Sequence, residues 1–166
     1  MKTFTVLLFV LMFSLSVFAQ DWKKMANADL QKSVPEKAPV IKEDIETELR
    51  TASGISDGKN QIFGVVIITA GYEADGKYTH FLRTSSTLNV GELTLKPGDY
   101  IFGYQRIDDE TLRVMFYYAK DGELIGATKA KTESKKGPIY SFLIEPPIDK
   151  KGKIYIGRFN FEYSLD

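Results

Sequence analysis

Between Gln61 and Asp166 apolar residues come in short runs separated by turn residues, with a period close to two. Ile62 to Thr69 is apolar at successive positions, which predicts a strand covered on both faces. Further strands are predicted at Tyr78–Arg83, Thr87–Val90, Glu92–Leu95, Tyr100–Ile107, Leu112–Tyr118, Glu123–Lys129 and Pro138–Glu145. Pro146-Pro147 ends the last of these, because proline cannot donate a ladder hydrogen bond. Tyr155, Gly157, Phe159, Phe161, Tyr163 and Leu165 alternate with polar or mixed positions and read as one half-buried terminal strand. Asp75-Gly76 carries the signal of a tight hairpin, and Lys96–Asp99, Asp108–Glu110 and Lys120–Glu123 are turns. About eight or nine strands with short connections predict a mostly-β chain, an antiparallel sandwich or, alternatively, an antiparallel barrel.

Residues 20–60 differ in pattern. Trp22, Met25, Ala26 and Leu30 stand at near-helical spacing, with Asp21 as a candidate cap, and Pro35 and Pro39 break the chain. Ile41, Ile45 and Leu49 recur every four residues, with Lys42–Glu46 and Glu46–Arg50 pairs, and predict a helix over 41–50. Ile45, Thr47, Leu49 and Thr51 also alternate as a strand would. The predicted organisation is a leader at 1–19, a polar, partly helical lead-in at 20–60 and an antiparallel β domain at 61–166.

The leader reads as a secretory signal peptide. Lys2 gives a positive start, Val6–Phe13 an apolar run, and Val17 and Ala19 the small-residue cleavage pattern that leaves Gln20 first. The run is too short to span about 30 Å of hydrocarbon. Export to the periplasm or beyond, with no transmembrane anchor in the mature chain, is the expectation.

Composition narrows the function classes. The chain has 22 basic and 22 acidic residues, and loss of Lys2 with the leader leaves a net charge of −1. That balance does not steer it to nucleic acid. There is no cysteine, so disulfides, thiolate metal sites and a cysteine nucleophile are excluded.

Catalytic constellations are missing. His80 is the single histidine, with no H-x-H or H-E-x-x-H spacing and no orienting partner nearby in sequence. No serine sits in a G-x-S-x-G elbow, and the acidic run Asp108-Asp109-Glu110 reads as a solvated turn and not as a calcium loop or a glycosidase pair. No catalytic residue, metal or cofactor is predicted. The remaining signal is aromatic: Trp22, Tyr117 and Tyr118 are the candidate ligand-binding residues.

If the strands run up and down in order, Lys96–Asp99, Lys120–Glu123 and Pro146–Lys153 share one end of the sheet. Asp108–Glu110 and Lys131–Gly137 share the other. The lysine groups Lys131/Lys135/Lys136 and Lys150/Lys151/Lys153 therefore lie at opposite ends, the first facing the acidic turn and pairing with it in part.

Leu95-Lys96-Pro97-Gly98-Asp99-Tyr100 resembles the L-x-P-G-x-Y step of transthyretin-like, carboxypeptidase-regulatory-type β-sandwich modules. The resemblance covers six residues and implies a non-catalytic accessory or partner-binding domain. The expected function is thus an exported binding module for a protein, a glycan or a small ligand. The alternatives are a lipocalin-like barrel with an apolar lumen lined by Phe102, Phe116, Phe142 and Phe159, and a carboxylate-dependent hydrolase.

Overall fold

The computed structural model describes residues 21–134 and 137–166. In chain order the elements are β1 (Lys23–Lys24), α1 (Asn27–Ser33), β2 (Lys37–Val40), β3 (Glu43–Ser56), β4 (Gln61–Ile67), β5 (His80–Thr84) and β6 (Leu88–Val90). They continue with β7 (Leu93–Leu95), β8 (Gly98–Arg106), β9 (Thr111–Tyr118), β10 (Leu124–Thr132), β11 (Tyr140–Ile144), β12 (Lys151–Gly157) and β13 (Phe159–Leu165). The mostly-β antiparallel architecture is present. Its strands form one sheet, in the order β1-β3-β4-β5-β8-β9-β10-β13-β12-β11, that curls nearly to a barrel. The hairpin β6–β7 joins it through β13.

Closure comes at β11, which pairs only with β12 among the described residues and meets β3 and β4 through side chains. The buried Ser53 hydroxyl accepts the Ile144 backbone N–H at 2.9 Å. The Phe142 ring lies against Gly64, so close that a Cβ there would stand 2.7 Å from its edge. Glycine at 64 is a packing requirement at this seam.

Two apolar layers follow from the strand alternation. Inside the sheet, Ile62, Leu82, Phe102, Phe116, Phe142 and Phe161 belong to one core. On the outer face, Phe63, Val65, Phe81, Ile101 and Tyr117 are covered by Met25, Leu30, Val40, Ile45 and Tyr78. That explains the unbroken apolar run of β4, which is buried on both sides as expected. Arg83, the one charged side chain of β5, is accommodated on the outer face by a two-point pair with Asp99 at 2.5 and 2.7 Å.

Four expectations are corrected. Residues 43–56 are a strand, not a helix: Ile45 caps the outer core while Ile55 enters the inner one, so tertiary burial outweighs the 42–46 and 46–50 ion pairs. Residues 37–56 therefore belong to the sheet and its cover, and the N-terminal helix shrinks to the seven residues of α1. Asp75-Gly76 does not make a tight hairpin; the 68–79 connection folds back over the outer face, where the Tyr72 hydroxyl donates to Glu46. Finally, Tyr155 to Leu165 is a hairpin, with Ile156 opposite Phe159 across a two-residue turn at Gly157-Arg158. Gly157 takes φ +60° there, a left-handed value that favours glycine. The reversal flips the alternation, so Ile154 and Ile156 face the core beside Phe161 and Tyr163 while Tyr155 faces out.

The turns sort to two ends. Registers place the 57–60, 96–97, 119–123 and 145–150 connections at a base, and the 107–110, 133–139 and 157–158 connections at a mouth. Lys131 and Lys150/Lys151 thus stand at opposite ends, although β13 intervenes between β10 and β12. Lys153 departs from that expectation, since its ammonium pairs with Glu133 of the 133–139 connection at 2.9 Å. The acidic turn pairs differently from the expectation: Asp109 meets Arg106 at 3.8 Å. Lys135 and Lys136 lie outside the described residues, as does the leader. Among the described residues no helix is long and apolar enough to cross a membrane.

Candidate functional site

From the base upward the barrel interior is filled. The rings of Phe102 and Phe116 are 5.1 Å apart at their centroids, Phe102 and Phe142 6.1 Å, and Phe116 and Phe161 5.9 Å. Phe102, Phe116 and Phe142 thus pack on one another within the inner core. Of the four expected residues, Phe159 lines the cleft at the mouth.

That mouth holds a cleft of about 570 Å³, within the usual range of small-molecule sites. His80 forms part of its floor, stacked on Phe102 with centroids 4.6 Å apart and tilted against Phe142 at 5.2 Å. Val66, Leu112 and Ile156 continue the apolar wall, and Tyr104, Ile139 and Phe159 form the upper part. Among the described residues the charged members of the lining are Arg106 and Arg158, with no carboxylate. The Arg106 guanidinium lies over the Phe159 ring, 5.5 Å from its centroid. Arg158, in the β12–β13 turn, makes no ion pair among the described residues.

His80 is 2% exposed. Thr79 Oγ1 lies 2.8 Å from its Nδ1 and 3.3 Å from the Phe102 carbonyl oxygen. When the hydroxyl donates to the carbonyl, Nδ1–H donates to the hydroxyl, and when it donates to Nδ1 the ring proton is on Nε2. Nε2 has no hydrogen bond of normal geometry. Burial pulls the pKa from the ordinary 6.5 down to about 3, with the Ser141 backbone acting weakly the other way. The imidazole is therefore neutral at physiological pH. Stacked on Phe102, it forms part of the floor of the cleft.

A stability consequence follows from that depressed value. Between about pH 6.5 and pH 3 the unfolded chain binds a proton at His80 that the folded chain refuses, so stability is complete above the unfolded value and falls as pH drops through this window. The slope from this residue is at most about 1.4 kcal/mol per pH unit. Urea unfolding of the wild type and of His80→Phe across about pH 7 to pH 4 should give a steeper decline for the wild type. Equal slopes would show that the histidine is not held neutral.

A second groove, of about 520 Å³, adjoins the mouth on the outside of β11 and β12 and shares Ile139, Gly157 and Arg158 with it. Tyr155 donates to Glu133 at 2.9 Å, and Lys153 donates to the other oxygen of Glu133 at 2.9 Å. Burial first, and then the bond to Glu133, push the Tyr155 phenol well above its ordinary value. This cluster is internally paired, and among the described residues no group of acids and histidines could hold a metal.

The residues chosen from sequence are not gathered here. Trp22 is half-buried at the base, where β1 pairs with the end of β3, and packs against the inner core. Tyr117 is 9% exposed, edge-on to Tyr78 under the outer cover. Tyr118, its neighbour on the opposite face, is 45% exposed at the base beside Tyr100. None of the three lines the mouth. The acidic turn is solvated: the Glu110 backbone N–H and contacts from Thr111 hold the Asp108 carboxyl low, which suits a turn cap and not a proton donor.

Sequence reasoning missed Arg106, Ile139 and Arg158, and named Phe159 only for the lumen of the barrel alternative. The available signal was the Gly157-Arg158 pair: read as a hairpin turn, it places Arg158 at the same end as Arg106 and the 133–139 loop. Comparison with protein-family models, with curated proteins and with solved structures finds no match.

Proposed function

We propose that this chain is an exported, non-catalytic binding module that holds its ligand in the mouth of the barrel. The observation that carries the reading is the mouth cleft itself, an apolar concavity with two arginines in its lining and a buried neutral floor. A barrel mouth is a favoured place for such sites. The buried, neutral His80 and the pairing of the nearby acids supply no general base or nucleophile among the described residues, which favours binding over turnover. The accessory-module resemblance of the Leu95–Tyr100 step points the same way. In that step the Tyr100 hydroxyl donates back to the Lys96 carbonyl at 2.6 Å, which fixes the β7–β8 corner at the base, far from the mouth.

The neutral fluorophore N-phenyl-1-naphthylamine tests the location. Its emission should rise with the wild type and fall back with Tyr104→Glu or Ile139→Glu, both at exposed rim positions that tolerate a charge in the fold. Leu124→Glu, equally exposed at the base, should leave the emission unchanged. Loss on Leu124→Glu with no effect at the rim would move the site away from the mouth. Export is tested by N-terminal sequencing of protein recovered outside the cytoplasm, with Gln20 expected first; retention with the leader attached would overturn that part.

A further inference from the structure

The mouth also specifies a ligand chemistry. Among the described residues the charges in its lining are the guanidinium groups of Arg106, which lies over the Phe159 ring, and of Arg158, the residue before Phe159 in the chain. Arg106 is loosely tethered, since its ion pair with Asp109 is 3.8 Å long with both side chains exposed. Such a pair contributes little and is readily exchanged for a better partner. Arg158 makes no ion pair among the described residues. A guanidinium presents a planar fork of donors that matches the two oxygens of a carboxylate, which a neutral hydroxyl or an ammonium cannot match. Below the arginines the cleft walls are Tyr104, Leu112, Ile139 and Ile156, and among the described lining residues there is no acid to oppose an anion.

Resting on the binding reading above, we propose that the mouth takes a small amphiphilic carboxylate. Its apolar body lies against Phe159, Tyr104 and Ile139, and its carboxylate is bound by Arg158 and Arg106. The two arginines thus select for charge, and the apolar wall selects for a body of modest size.

Nuclear magnetic resonance titration of the isotopically labelled mature chain separates this inference from the reading beneath it. The ligands are octanoate, 1-octanol and octylammonium, which share a chain and differ in head group. All shifts should cluster at the mouth, with octanoate binding about tenfold more tightly than octanol, the effect of one charge-assisted hydrogen-bonded pair. Octylammonium should bind most weakly. Arg158→Gln should bring octanoate down to the level of octanol, Arg106→Gln should do so in part, and Arg113→Gln, exposed on the other face of β9, should change nothing. If octanol binds at the mouth as well as octanoate, or Arg158→Gln leaves octanoate untouched, the carboxylate preference is wrong while the mouth remains a binding site. If none of the three ligands perturbs the mouth of the folded protein, both fall together.

Discussion

Replacing Phe142 by alanine should destabilise the fold by about 3–5 kcal/mol and loosen the barrel seam before the rest of the sheet. The reason is the way β11 closes the barrel. No hydrogen-bond ladder joins β11 to β3 among the described residues, so the closure rests on side chains and on the single bond from Ile144 N–H to Ser53. Phe142 enters the space left by Gly64, contacts the Phe102 and His80 rings and is 3% exposed. Its removal leaves a cavity that neither a β-strand nor a ring stack can collapse to fill. Urea unfolding gives the loss, and amide hydrogen exchange shows its location: protection should fall first at β11 while β8 and β9 stay protected. A loss below about 1 kcal/mol with β11 protection unchanged would mean that the seam is held by something other than this ring.

How much of this was legible in the sequence divides along a physical line. Local alternation and turn chemistry located most of β4 to β11, because a strand with one or two buried faces writes its period directly into the chain. The ends on which the turns fall were also readable, since antiparallel neighbours force them to alternate. Residues 43–56 were misread because exposed ion pairs at helical spacing compete with a strand whose reason, burial of Ile45 and Ile55 in two different cores, exists only in three dimensions. The terminal hairpin was misread because Tyr155 and Phe159 are both aromatic and fall in step across the reversal, so the period alone did not register the turn. The site was the least legible part. Arg106 and Arg158 are 52 positions apart in the chain, and only the curl of the sheet brings both to one cleft. The aromatic candidates failed for a related reason: a tyrosine in a strand buried on both faces, such as Tyr117, is core on either side.

Gly103→Ala should be the most damaging single-methyl addition in β8, at about 3 kcal/mol. A Cβ at this position would lie 2.1 Å from the Lys77 carbonyl oxygen and 3.5 Å from the Tyr78 Cα. Both obstacles are backbone, so no rotamer change relieves the clash. The 68–79 connection would have to lift, taking Tyr78 off Tyr117 and opening the outer core. Gly98→Ala is the matched control: it lies in the same strand, and its nearest neighbours would be 3.6 Å away, in ordinary contact. The same gain in chain stiffness without the clash should make it neutral or slightly stabilising. Urea unfolding of the pair isolates the steric part, and a difference under about 1 kcal/mol would show that the connection yields easily. Because Thr69, Tyr78 and Thr79 of that connection also line the cleft, a Gly103→Ala protein that still folds should bind octanoate more weakly than Gly98→Ala does. The fold constraint and the site constraint therefore meet at one glycine: the backbone pass over Gly103 covers the outer core and sets one wall of the mouth.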